Sequence, residues 1–380
     1  MTVSKKKFLT IAGLVLAACL LLLCLFLLNP GSDPEPSGDP TGVPTEATGD
    51  TQPQETETQP VVVYPLTING QQWEENTTQM ALSDVDIAEL TENLPLLPHV
   101  QKITLDGTLP EMDALQTLID AYPEIEFYWQ LEVCGVKADI NTTELDLSNI
   151  PMETVAAVEN ALDYLPKLEK VIMCDCGISN EEMDALGQRN PDVRFVWTVA
   201  LGPYVSLRTD ATFFISPNES IWLNDEQAYN FRYCVDMVCL DLGHHPIGNC
   251  EFVRYMPNLK YLIIADCNIS DLSPLMNHQS LIYLEAFINP ITDYSPLLTC
   301  TNLQDLNICF TYGDMAPLLQ MNWLKRLWWS PYRPEKFALK EALPNTEINY
   351  TTTGSTAGGW RTGELYYEMR DYLGMSYMTH

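Results

Sequence analysis

Five histidines (His99, His244, His245, His278 and His380) and eleven cysteines are the residues of this 380-residue chain with the most chemistry to offer. No histidine falls in a nucleophile or metallohydrolase motif, and there is no glycine-rich phosphate loop. Cys174-Asp175-Cys176 and His244-His245 suggest zinc at first sight. On the repeat template set out below, however, Cys174 faces outward and Cys176 inward, and Gly243 and His245 divide in the same way, so neither pair converges on one ion. With 51 acidic residues in the chain, sequence-adjacent carboxylates carry little information and read as a solvated face. Calcium held by loop carboxylates has no loop motif behind it. The expectation is a protein without a catalytic site, metal or cofactor.

Nine cysteines lie beyond the first thirty residues: Cys134, Cys174, Cys176, Cys234, Cys239, Cys250, Cys267, Cys300 and Cys309. An odd number argues against a complete disulfide framework. Cys176 and Cys267 read as core residues, and a Cys234–Cys239 bridge is the one pairing left open.

The element that must position these side chains is a repeat. Leu259-Lys-Tyr-Leu262-Ile-Ile264, Leu281-Ile-Tyr-Leu284-Glu-Ala286, Leu303-Gln-Asp-Leu306-Asn-Ile308 and Leu324-Lys-Arg-Leu327-Trp-Trp329 start 22, 22 and 21 residues apart. LxxLxL at this period, continued by Cys267 then Ile269 and by Asn289 then Ile291, is the leucine-rich-repeat signature. Leu272-Ser-Pro-Leu275, Tyr294-Ser-Pro-Leu297 and Met315-Ala-Pro-Leu318 follow in step. Weaker units begin at Thr77, Val100, Thr142, Leu168, Ala211 and Met237. A longer duplication aligns the segment from Leu97 with that from Leu165, an offset of 68 residues. It adds strands at Pro123–Phe127 and Pro191–Phe195, with Pro344–Ile348 a third. About a dozen stacked units are expected between residues 70 and 350.

One such unit cannot bury its own apolar face, and stacking copies makes a continuous core. The predicted fold is an α/β leucine-rich-repeat solenoid with a parallel sheet on its concave face. Helices are expected over Glu153–Tyr164 and Asn180–Gln188, the second opened by the capping pattern Ser179-Asn-Glu-Glu182. Residues 61–76, with Trp73, are expected to cap one end of the stack. Thr362–Met375, with Tyr366, Met369, Tyr372 and Leu373 at helical spacing, is expected to cap the other.

These repeats resemble the 22-residue internalin type. Together with the Pro191–Trp197 and Arg208–Phe214 segments, they resemble a group of secreted or anchored bacterial leucine-rich-repeat proteins. The resemblance implies a fold and a surface location, with no defined activity.

The termini extend this picture. Phe8–Leu28 holds 21 uncharged residues, which as a helix would extend roughly 31 Å, the depth of a bilayer core. Lys5, Lys6 and Lys7 precede it and acids follow, so the positive-inside bias sets the N-terminus in the cytoplasm. A cleaved signal peptide competes with this reading, and Leu16-Ala17-Ala18-Cys19 resembles a lipobox that would be processed at Cys19. The Pro- and Thr-rich segment after the anchor carries seven acids and no base, and reads as an extended spacer. Removing the anchor's three lysines and these seven acids from the total of −31 leaves −27 for residues 61–380. Such a surface disfavours nucleic acid and anionic lipid. The expected organisation is a stub and transmembrane signal anchor over 1–28, a linker over 29–62, the repeat domain over 63–350 and a cap segment over 351–380.

In the best-defined units the outward positions are Tyr261, Ile263 and Ala265; Tyr283, Glu285 and Phe287; Asp305, Asn307 and Cys309; and Arg326, Trp328 and Ser330. Aromatic rings with a few charges are what binding surfaces use. The sequence therefore points to a non-catalytic module that recognises a protein, peptide or glycan through Tyr261, Ile263, Tyr283, Glu285, Phe287, Asp305, Asn307, Arg326 and Trp328. The alternatives are a terminal segment folded over these rings, and a structural component of the cell envelope with no specific ligand.

Overall fold

The computed structural model describes residues 62–216, 222–330, 336–351 and 353–375. The anchor and all of the linker except Val62 lie outside the described residues, as does Cys19. Among the described residues, no helix is long and apolar enough to cross a membrane.

The chain forms two compact units. The first comprises residues up to Thr142, with Asn160–Lys167 and Gln188–Asp192. Its strands are β1 (Leu66–Ile68), β2 (Gln71–Trp73), β3 (Gln79–Ser83), β4 (Lys102–Asp106), β5 (Glu126–Val133) and β6 (Val136–Asp139). β3, β4 and β5 pair in parallel, and the alternation of Met80, Leu82, Ile103, Leu105, Phe127 and Trp129 puts one face into an apolar core. β1 and β2 form a hairpin whose Trp73 packs against that core. β5 then turns back through Cys134 and Gly135, both at positive φ, into an antiparallel pairing with β6 that the repeat template does not foresee.

The second unit takes Thr143–Glu159, Leu168–Gly187 and everything from Val193 onward. It opens with a parallel ladder of β7 (Glu144–Asp146), β8 (Lys170–Ile172) and β9 (Arg194–Val196), followed by a hairpin of β10 (Thr198–Gly202) and β11 (Val205–Arg208). A seven-stranded parallel sheet follows: β12 (Phe213–Ile215), β13 (Cys239–Asp241), β14 (Tyr261–Ile263), β15 (Tyr283–Glu285), β16 (Asp305–Ile308), β17 (Arg326–Trp329) and β18 (Glu347–Asn349). Each weak repeat start is followed two residues later by one of these parallel strands, as Thr77 is by Gln79 and Met237 by Cys239. The helix expected over Glu153–Tyr164 is shorter, Ala156–Ala161 with a 3₁₀ turn at Leu162–Tyr164. Asn180–Arg189 is helical, with Ser179 Oγ accepting from the Glu182 amide at 3.2 Å.

The register of the seven strands is strict. Leu240, Leu262, Leu284, Leu306 and Leu327 are paired neighbours and are fully buried on the core side. This is a leucine-rich-repeat solenoid. The turn after each strand is held by the next coil: Asn289 Oδ1 accepts from the amides of Cys267 (3.1 Å) and Ile269 (2.9 Å), and its Nδ2 donates to the carbonyl of Ile264 (2.7 Å). Cys267 fills the same position one coil earlier, donating to the Leu242 carbonyl, and Cys176 does so towards Leu147. Burial pushes the Cys267 thiol up to about 12, which keeps it protonated and inert. On the other side of the coil, Asn249, Asp271, Asp293 and Asp314 each accept from an amide two residues on, starting the tight turns where Ser-Pro-Leu recurs. Cys234 and Cys239 carry free thiols.

Asn289→Ala strips buried amides and carbonyls of two adjacent coils of their partner. It is expected to lower unfolding free energy by at least about 3 kcal/mol, read as a shift in urea midpoint.

Candidate functional site

By strand alternation the face opposite the leucine core carries two columns from the strands themselves. One runs Phe213, Cys239, Tyr261, Tyr283, Asp305, Arg326 and Glu347; the other runs Ile215, Asp241, Ile263, Glu285, Asn307, Trp328 and Asn349. Eight of the nine residues expected to contact a ligand fall in these two columns, and the ninth, Phe287, lies just beyond β15 in the same buried cluster as Tyr261, Ile263, Tyr283 and Trp328. That surface is not an open groove. Tyr283, Glu285, Asn307 and Trp328 are 0% exposed, Tyr261, Ile263, Phe287 and Asp305 are also buried, and Arg326 is largely so.

The cover is the segment 354–375, and it lies across the sheet face rather than over the end of the stack where a cap was expected. It first reaches β16, β17 and β18 through Ser355, Ala357 and Gly358, then runs back across the sheet toward β12. Asn349 on β18 donates to the Gly358 carbonyl, and Trp328 on β17 donates to Ala357 at 2.8 Å. Arg326 donates to the carbonyls of Gly359 (2.8 Å) and Trp360 (3.1 Å), and Asn307 on β16 to Ser355 at 2.9 Å. The helix Glu364–Tyr372 then packs Tyr366 and Met369, with Leu373 just beyond, into one cluster with Tyr261 and Cys239, and Tyr372 meets the edge of Phe213 on β12. The physical reason is the chemistry of the face: a column of rings and charges on a sheet loses least when a matching aromatic segment covers it.

Glu285 is the clearest case. Its carboxylate accepts from Trp360 Nε1 at 2.7 Å, Arg361 at 3.1 Å and the Tyr283 hydroxyl. Trp360 stacks on Tyr283, with centroids 5.3 Å apart, and leans on Trp328. Burial beside the Glu285 carboxylate drives the Tyr283 phenol well above its ordinary range. Arg326 lies 4.5 Å over the Trp328 ring and 3.1 Å from Asp305, whose carboxyl is raised by burial against the opposing pull of that guanidinium. A Cβ at Gly363 would overlap the Arg326 guanidinium, so any larger residue there would push that side chain off its partners Asp305, Gly359 and Trp360.

Among the described residues the cover leaves one corner free, at and just beyond the C-terminal ends of β12–β15. There a cleft of about 510 Å³ is floored by Ile263, Ala265 and Phe287 and walled by Trp222, Asp241 and Arg361. Two of the nine expected residues, Ile263 and Phe287, line it; the other seven do not. Beside it, sharing Trp222, His244 and His245, runs a groove of about 450 Å³ bordered by Asp266, Ile288, Phe310 and Tyr312. Trp222 and Tyr312 are 66% and 65% exposed. His245 is buried, its Nδ1 accepting from the Leu223 amide at 3.0 Å, and burial lowers its pKa, keeping it neutral.

Repeat logic hid a second feature of this rim. His244, Asp266, Ile288 and Phe310, one per coil, all have positive φ (66°, 54°, 54° and 57°). Their amides donate onward: His244 to Ala265, Asp266 to Phe287 and Ile288 to Cys309. The equivalent Asn149 and Asp175 are residue types that tolerate this conformation. A β-branched isoleucine does not, yet Ile288 stands there with its side chain at the groove. The 22-residue spacing could have flagged these four positions as one structural column.

No family model matches the sequence. No curated protein matches it either. Among solved structures the chain is similar to internalin C2 from Listeria monocytogenes, at 18% identity over 57% of this chain and 76% of that one, with a TM-score of 0.28. It is also similar to a second Listeria monocytogenes internalin (15% identity, 70% and 78% covered, TM-score 0.31). A leucine-rich-repeat protein from Leptospira interrogans gives 14% identity, 73% and 90% coverage and a TM-score of 0.28.

Trp360→Ala is expected to cost about 3–5 kcal/mol and to expose the ring column, read as a lowered urea midpoint with new binding of a hydrophobic dye. Ile288→Asn, by contrast, relieves left-handed strain and is expected to raise stability by about 1 kcal/mol, measured in the same titration.

Proposed function

We propose that this chain is a non-catalytic binding module that takes a protein, peptide or glycan ligand on the part of the sheet face that segment 354–375 leaves open. In this reading Phe8–Leu28 anchors it in the cell membrane, with the N-terminus cytoplasmic, and the acidic linker carries the repeats outside. The observation that carries the proposal is the cleft itself. An apolar floor of Ile263, Ala265 and Phe287 lies below exposed Trp222, with Asp241 and Arg361 in its walls. Concave, mostly apolar sites with a few placed polar groups are what ligands use. The strained Ile288 at the adjoining rim adds support, since strain tends to persist where function retains it. The buried members of the predicted face, Tyr261, Tyr283, Glu285, Asp305, Asn307, Arg326 and Trp328, would meet a ligand only if that ligand displaced residues 354–375.

A second reading, a structural envelope component without a specific ligand, is favoured by one observation: the chain fills most of its own sheet face. Full-length protein in detergent, incubated with arrayed peptides and glycans, separates the two. Capture by the wild type and at least tenfold weaker capture by a Trp222→Ala/Tyr312→Ala variant of unchanged Tm is expected. Equal capture by the variant would remove the cleft from the proposal, and no capture by either protein would leave the structural reading.

A further inference from the structure

Charge matching in the cleft identifies what it is built to receive. Arg361 reaches the wall from the covering segment, but its guanidinium is already engaged with the Glu285 carboxylate at 3.1 Å, and Glu285 is fully buried. That pair is balanced. Asp241 has no such partner among the described residues: one carboxylate oxygen accepts from the Gly243 amide at 3.0 Å, and no described cation lies in an ion pair with it. At the rim, His244 pairs with Asp266 at 3.1 Å, and the Asp266 carboxylate borders the groove that runs past Trp222.

We propose that the cleft is a socket for the cationic side chain of an extended peptide. A lysine ammonium or arginine guanidinium would sit on Asp241 beneath the Trp222 ring, and flanking apolar residues would lie in the groove along Ile288, Phe310 and Tyr312. This rests on the binding-module reading above and names the ligand class for the same site. Three observations support it besides the unmatched carboxylate. The wall and floor supply aromatic rings, Trp222 and Phe287, of the kind that hold cations by their faces. The groove beside the cleft shares Trp222, His244 and His245 with it and is rimmed by exposed Tyr312 and Ile288, which gives residues flanking the cation an apolar surface to lie on. The chain as a whole is strongly acidic, at −31, which draws basic partners to its surface. The Asp241 carboxyl is also raised, by burial first and by Glu285 second, with Arg361 and His244 only partly opposing. An arriving cation would relieve that penalty.

The test uses a positional-scanning library of capped tetrapeptides, in which each position carries Lys, Arg, Gln, Glu, Leu or Tyr, passed over the immobilised full-length protein at 0.15 M and 0.5 M salt. Asp241→Asn keeps the acceptor for the Gly243 amide, and Glu124→Gln, an exposed acid in the first unit, is the charge-matched control. Expected is enrichment of Lys or Arg at one position, with affinity at least tenfold lower in Asp241→Asn and unchanged in Glu124→Gln at both salt concentrations. Retention of peptides without a basic residue, or equal loss in both variants, would overturn the cation socket while leaving a binding module in place. Retention of neutral oligosaccharides with no peptide retained would overturn the peptide class. If neither is retained, the socket and the binding-module reading fall together.

Discussion

Glu285 closes the central strand of a seven-stranded parallel sheet with no solvent exposure, and an ionised carboxylate there is tolerable only when its oxygens are fully engaged by donors. One donor, Tyr283, comes from the same strand; the other two come from Trp360 and Arg361, 75 and 76 residues further along. That requirement pins the covering segment at one point. The rest of its path follows from what lies to either side: rings that stack under Trp360, carbonyls that Arg326 and Trp328 reach, and the ring column into which Tyr366 and Met369 pack. The open cleft is in turn a by-product of this docking, because the segment covers Glu285 at the end of β15 and then turns to the column of Tyr261 and Phe213, leaving Ile263, Ala265 and Phe287 at the cleft.

The division of labour between the two faces of the sheet is the logic of the repeat carried further than usual. On the core side, leucines two or three strands apart are interchangeable, and Asn289 or Cys267 serves the same turn with different chemistry. On the opposite side no two strands carry the same residues. Covering so irregular a surface needs a segment written specifically for it, which is why Gly363 leaves room for the Arg326 guanidinium and why Trp360 matches the gap between Tyr283 and Trp328.

Much of the fold was legible from residue types alone. Period-22 leucines located the strands, even in degenerate units such as that beginning at Thr77, because core burial tolerates few substitutions at those slots. The outward positions were also placed correctly, since alternation in a strand is geometric. What periodicity could not supply was the fate of that outward face, because exposure depends on a contact between segments distant in sequence. The signals were present but not decisive: Tyr366, Met369 and Leu373 spaced for a helix face, an acid at 285 and a base at 361. The two β-hairpins at Cys134-Gly135 and Pro203-Tyr204 escaped for a different reason, since each interrupts the repeat with a local pairing that the template has no slot for. The cleft was beyond reach for a third, because it is defined by where the cover ends.

The order in which these parts come into being follows from their place in the chain. A ribosome completes Tyr261, Tyr283 and Trp328 before it makes Trp360 and the helix that shields them, so the nascent sheet spends that interval with its ring column naked. Contacts of such sequence separation form late and slowly, and exposed aromatic strands are where growing chains stick to one another. Any chaperone that attends this protein would therefore find its most attractive surface on the side opposite the leucines. A ribosome that released its chain between residues 350 and 354 would yield a solenoid whose strands are all present and whose solubility is not.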